Sequence, residues 1–182
     1  MSLTNEQIEI LGKKMRIPLE AVVFKDELLF MKPKLNKVYI INMENETDEN
    51  GRPNSGSHWV TLLTHEAKDG KPEFFYFDSY GCPAPKAVQD FCHMKNVPYN
   101  INDVQGLLST VCGWFCLALA HFVYASEYRM NHFYSDINHF LDMFQNMNNN
   151  TDFMVNEGIL KQFFQSRDGK QIPETQLKLV RN

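Results

Sequence analysis

The chain lacks the marks of several protein classes. It has no excess of basic residues: 18 Lys and Arg stand against 22 Asp and Glu, a formal charge of −4. That excludes a broadly basic nucleic-acid-binding face and leaves room only for a local patch. No apolar run reaches the length a membrane span needs; the one around Cys116 is short and is cut by His121. Met1 to Gln7 is polar and acidic, with no basic n-region and no apolar h-region, so no signal peptide is expected. There is no Cys-x-x-Cys pair. Cys82, Cys92, Cys112 and Cys116 stand ten, twenty and four positions apart, which argues against a tetrahedral metal site, and no metal is expected. Free thiols in a reducing compartment are expected instead. The sequons Asn45-Glu46-Thr47 and Asn149-Asn150-Thr151 are read as chance matches in the absence of a secretory signal. Internal repeats are absent.

What is present fits a compact globule: 43% hydrophobic and 13% aromatic residues are too many for a disordered chain. At 182 residues, one domain spanning 1–182 is expected, with an N-terminal helical region over 1–20 and a polar tail over 167–182. Thr4 to Met15 predicts a first helix, capped by Thr4 with Gln7 closing a capping box, and with Ile8, Leu11 and Met15 on one face. Asp26 to Leu29 predicts a turn or short helical piece. Lys37–Asn42, Trp59–Thr64 and Glu73–Phe77 predict strands, the last two joined by a turn at Asp69-Gly70-Lys71-Pro72. Met43 to Ser57 predicts a surface loop. Helices are predicted over Lys86–Met94, Gly113–Glu127, Ser135–Phe144 and Val155–Gln165, and a further strand over Val97–Ile101. Asn146–Thr151 predicts an asparagine-rich loop. The order points to an α+β fold, helices packed on a small mixed sheet.

One stretch carries chemistry. Val104-Gln105-Gly106 stands ahead of Cys112-Gly113-Trp114-Phe115-Cys116, where a long apolar helix begins. The start of a helix presents unpaired N–H groups and the positive end of the backbone dipole, both of which stabilise a thiolate. Upstream, Gly56-Ser57-His58-Trp59 sets a histidine between a glycine-containing loop and a strand. Asp78 ends an aromatic run and precedes Ser79-Tyr80-Gly81. The set reads as nucleophile Cys112, base His58, orienter Asp78 and oxyanion donor Gln105. Trp59 is expected to cover the histidine side, stacking on His58 or walling a groove.

Each residue also has a plain reading. Cys112 taken alone is a core cysteine, as Cys116 is expected to be. Asp78 could cap a turn, and Gln105 could be a loop residue. His65, His93, His121, His132 and His139 read as surface or core histidines. The combination, in this order, favours the chemical reading.

Over roughly Gly51 to Tyr124 these motifs resemble the adenovirus-type cysteine proteases. That wider group includes the SUMO- and ubiquitin-like-protein proteases and the maturation proteases of large DNA viruses, virophages and related transposons. The resemblance implies a papain-like, adenain-like fold with the nucleophile at the start of a central buried helix. It implies a thiol endopeptidase with His58, Asp78 and Cys112 as triad, Gln105 as oxyanion donor, and Trp59, Gly56, Ser57 and Gly113 along the substrate approach. The wording of the Val-Gln-Gly and Cys-Gly-aromatic-Phe-Cys segments is closer to the viral branch. That implies cleavage of capsid or other precursor proteins at glycine-containing junctions during virion maturation, by a monomer in the virion or in the cytoplasm or viral factory of an infected cell. The alternative is an isopeptidase acting on SUMO or ubiquitin-like conjugates; a non-enzymatic adaptor is disfavoured because all four groups are present. No cofactor is required by these motifs. The adenoviral branch is basic and is stimulated by DNA and a peptide; this acidic chain departs from it, and Cys92 matches the peptide-linkage region only loosely.

Overall fold

A computed structural model of the chain describes residues 2–106, 109–144 and 152–165. Helix α1 (Asn5–Lys14) begins as its sequence dictates: the Thr4 side chain accepts from the Gln7 N–H, and the Gln7 side chain accepts from the Thr4 N–H. This reciprocal pair satisfies two N–H groups that a helix start otherwise leaves unpaired. Ile8, Leu11 and Met15 point into the core.

A four-stranded mixed sheet follows, in the spatial order β1 (Leu19–Phe24), β2 (Val38–Asn42), β3 (Trp59–Glu66) and β4 (Pro72–Phe77). β1 and β2 are parallel; β2–β3 and β3–β4 are antiparallel. The β1–β2 connection carries a 3-10 turn over Lys25–Phe30. Gly70 takes φ +79 in the turn between β3 and β4, a conformation that suits glycine. β1 is an addition to the predicted strands. It is half-buried along its whole length and lies at the edge, so it lacks the alternation that marks a strand with one covered face.

The sheet is covered on both sides, which explains the unbroken apolar runs of β2 and β4. Val38, Ile40, Leu63, Phe75 and Phe77 join one core with α1, α3 (Cys112–Tyr124), α4 (Phe133–Leu141) and α5 (Asp152–Gln165). Tyr39, Ile41, Val60, Leu62, Phe74 and Tyr76 join a second with α2 (Lys86–Cys92) and Leu28 of the 3-10 turn. α3 is buried from Cys112 to Val123. Each large apolar side chain fully removed from water contributes about 1.5–3 kcal/mol, so this helix anchors the molecule. α5 packs on it through Phe164, edge-on to Trp114 at 5.1 Å.

Several helix and strand ends fall a few residues from their predicted positions, and two differences have a clear cause. Val97–Ile101 is not a strand; it makes one parallel bridge, Tyr76 to Tyr99, with the Tyr76 N–H on the Pro98 carbonyl. Pro98 has no N–H to extend a ladder. α4 starts at Phe133 rather than Ser135, because the buried Asp136 carboxylate accepts from the N–H groups of Met130 and His132 and draws the chain into the helix earlier. The predicted loop at Asn146–Thr151 and the polar tail lie outside the described residues. The architecture is a mixed α+β one. Among the described residues, no helix is long and apolar enough to cross a membrane.

Candidate active site

The end of the sheet where β3 begins and β4 finishes gathers the chemistry. β3 and β4 pair with Thr61 opposite Phe77. Continuing that register past the ladder sets His58 opposite Tyr80 and diagonal to Asp78. The His58 carbonyl accepts from the Met43 N–H at 2.9 Å, which ties the approach loop to the end of β2. Gly56, at φ +79, allows that loop to pass Asn42; a Cβ there would lie 2.3 Å from the Asn42 amide nitrogen.

His58 Nε2 bonds Asp78 Oδ1 at 2.8 Å. The same oxygen accepts from the Tyr80 N–H, also at 2.8 Å. Asp78 is held from behind by Asn100: the Asp78 N–H donates to the Asn100 side-chain oxygen at 2.9 Å, and the Asn100 amide donates to the Asp78 carbonyl at 2.6 Å. Asp78, Asn100 and Ser79 are all buried. Gly81, at φ +69, lets the turn after Asp78 lie against the 101–103 backbone; a Cβ there would meet Asp103 N at 2.9 Å.

The other imidazole nitrogen, Nδ1, is buried and makes no close hydrogen bond. Cys112, the first residue of α3, is near enough to the ring to act on its charge. Burial is the largest single influence on the His58 ring and opposes its charge. The Asp78 bond and the Cys112 sulfur together outweigh it, and the histidine is raised from 6.5 to about 9. At neutral pH the ring is therefore held in its protonated form beside the Asp78 carboxylate. Cys112 is 2% exposed. His58 and Tyr80, each partly exposed, form the solvent side of the cluster.

Gln105 is buried at the same place. Its Oε1 accepts from the Ser79 hydroxyl at 2.9 Å. Its Nε2 donates to the Ser109 carbonyl at 2.9 Å and to the Tyr80 hydroxyl at 3.3 Å. A carbonyl only accepts, so Ser109 settles which end of the amide is nitrogen. The backbone around Gln105 is tied to the strand end, since the N–H groups of Val104 and Gln105 both donate to the Ser79 carbonyl. α5 grips the same loop: the Asn156 amide donates to the Val104 carbonyl at 3.1 Å, and the Ser109 hydroxyl donates to Glu157 at 2.6 Å.

His58, Asp78, Gln105 and Cys112 thus come together. Trp59 stands elsewhere than expected: it is 2% exposed, its indole N–H donates to the Leu3 carbonyl at 2.8 Å, and it packs behind the site as core. The ring over His58 is Tyr80, with centroids 4.5 Å apart and planes 27° apart. Gly113 faces Leu3 and Trp59, where a Cβ would meet Leu3 at 3.2 Å; its role is close packing of α3. Ser57 is exposed beside the histidine. Tyr80 and Asn100 are the residues that sequence reasoning missed. The strand register would have pointed to Tyr80; no local signal marks Asn100.

Cys116 sits one helical turn beyond Cys112, fully buried, and burial pushes its thiol well above the ordinary range. Cys92 is likewise pushed up, to about 12. Among the described residues, no group of three His, Cys, Asp or Glu side chains could hold a metal ion. No protein-family model matches this chain, and no curated protein matches it either.

Proposed function

We propose that this protein is a cysteine endopeptidase of papain-like, adenain-like type, with Cys112 as nucleophile, His58 as proton carrier and Asp78 as orienter. The observation that carries the reading is the 2.8 Å bond from His58 Nε2 to a buried Asp78, with a cysteine that begins a buried helix near enough to act on the same ring. Asp78 fixes the ring's orientation and supports its positive charge.

In acylation the Cys112 sulfur attacks the peptide carbonyl carbon. An S–C bond forms and the carbonyl π pair moves onto oxygen. As that pair returns, the C–N bond breaks and the His58 proton goes to the leaving amine, leaving a thioester. Water then attacks the thioester carbon, His58 takes its proton, and the C–S bond breaks to restore the thiolate. Hydrogen-bond donors at the start of α3 and from the Gln105 side meet the oxyanion.

The substrate is a protein. Its assignment as a capsid or other viral precursor cut at a glycine-containing junction, in a virion or an infected cell, rests on the resemblance of the His58, Gln105 and Cys112 segments to the viral proteases. Coexpression with a capsid precursor, read by mass spectrometry, tests it: new termini at glycine junctions are expected, and are expected to vanish with Cys112→Ala. Rapid labelling of Cys112 by a ubiquitin-like-modifier probe, with no precursor cleavage, would move the substrate to ubiquitin-like conjugates.

A further inference from the structure

We propose that the Tyr80 hydroxyl is the side-chain group that meets the oxyanion, and that Gln105 acts through it as a positioning residue. The inference rests on the endopeptidase reading and assigns a catalytic residue within the same site.

A primary amide has two N–H donors. One Gln105 N–H is engaged by the Ser109 carbonyl at 2.9 Å, and the other points at the Tyr80 oxygen at 3.3 Å. Neither is directed at open space. Tyr80, accepting from Gln105, keeps its own O–H to donate. That hydroxyl lies close enough to Cys112 for the sulfur's charge to act on it; burial first, then Cys112 and Asp78, raise Tyr80 above its ordinary value, so the proton stays on oxygen at working pH. The ring is fixed relative to the triad at two points, by its stack on His58 and by the Tyr80 N–H on Asp78 Oδ1. Tyr80 thus touches the triad and is also partly open to solvent, the side from which a substrate comes.

The arrangement is a chain: Gln105 N–H to Tyr80 oxygen, Tyr80 O–H to the substrate oxygen. As charge develops on that oxygen, the Gln105 donor polarises the tyrosine O–H and strengthens its bond, since linked hydrogen bonds reinforce one another. Ser79 holds the inner end of the chain through Oε1 of Gln105, and α5 holds it through the Val104 carbonyl and the Ser109 hydroxyl.

The test is Tyr80→Phe, which keeps the ring stack and removes the hydroxyl. Peptide hydrolysis should lose about 10²-fold in kcat, the usual effect of one oxyanion donor, with KM within about twofold. Alkylation of Cys112 by iodoacetamide, which forms no oxyanion, should stay within about twofold of wild type. Because the two donors act in series, adding Gln105→Ala to Tyr80→Phe should cost less than about fivefold more. An undiminished kcat in Tyr80→Phe would mean that the ring is only a cover that substrate displaces, and would overturn the proposal alone. So would a parallel loss of alkylation, or a full second 10²-fold loss in the double variant. Wild-type hydrolysis that survives Cys112→Ala, or that is absent while the fold is intact, would overturn the endopeptidase reading and this inference together.

Discussion

Cys112 and Cys116 occupy successive turns of the same helix and are almost equally buried, at 2% and 0% exposure. Their surroundings differ in kind. Cys116 lies at the centre of the α3–sheet interface, where burial holds its thiol protonated and Thr61 is its polar neighbour. Cys112 lies at the helix start, beside a histidine that is raised to about 9 because the Asp78 carboxylate and the Cys112 sulfur together outweigh its burial. Depth alone does not tell the two thiols apart. What distinguishes the first turn is the end of the sheet next to it, where β4 delivers Asp78, Ser79 and Tyr80 in succession. Asp78 holds His58, Ser79 holds Gln105, and Tyr80 touches both.

The sharpest way to break this contrast is substitution of the two thiols. Cys112→Ala should reduce kcat/KM by about 10⁴–10⁶-fold, whereas Cys116→Ala should leave activity within about threefold and lower stability by about 1 kcal/mol through the cavity it opens. Peptide hydrolysis and urea denaturation measure both. Equal losses of activity would dissolve the distinction.

Asp78→Asn comes next. It should cost about 10³–10⁴-fold in kcat, and the alkaline limb of the pH–rate profile should move down from about 9, because burial of the imidazolium is no longer offset by a carboxylate. An unchanged limb would detach Asp78 from the histidine.

The same pairing predicts a pH dependence of folding. His58 has a folded value of about 9, raised above its ordinary 6.5. Its contribution is therefore fully present below pH 6.5 and is lost as pH rises through 9, with an upper size of about 3 kcal/mol. The stability difference between wild type and His58→Gln should shrink over that window in denaturant titrations at pH 6, 8 and 10. A difference that grew with pH would reverse the sign and contradict the pairing.

A smaller effect sharpens the role of the second tier. Asn100→Ala removes both hydrogen bonds that hold the Asp78 backbone and leaves a buried N–H and carbonyl without them. It should cost about 2 kcal/mol of stability and lower kcat more than it raises KM. A variant with wild-type melting and kcat would show Asp78 to be held by its turn alone.

Much of this site is legible along the chain, for physical reasons that differ by residue. Thr4 and Gln7 mark α1 because capping is a contact over three positions. His58, Asp78 and Cys112 stand at element boundaries, where turn glycines and the onset of apolar runs are visible. β1 hides because a half-buried edge strand has no period. Val97–Ile101 misleads because apolar, β-branched residues surround a proline that accepts one bond but has no N–H to extend a ladder. Trp59 beside a candidate histidine suggests a stack, yet odd positions of β3 face the α3 core, and the indole goes there. Asn100 and Tyr80 act across 22 and 25 positions, through contacts that exist only once β4 and the loop ahead of α3 lie side by side.

The central claim is that His58, and not exposure, makes Cys112 the reactive thiol. Site-resolved iodoacetamide labelling at pH 6.5 tests it most directly. Cys82 is exposed and its thiol is raised by its surroundings, while Cys92 and Cys116 are buried and raised. Cys112 should take label first despite its burial, and His58→Ala should abolish that preference. Labelling that follows exposure, with Cys82 first and Cys112 silent in wild type, would contradict the account.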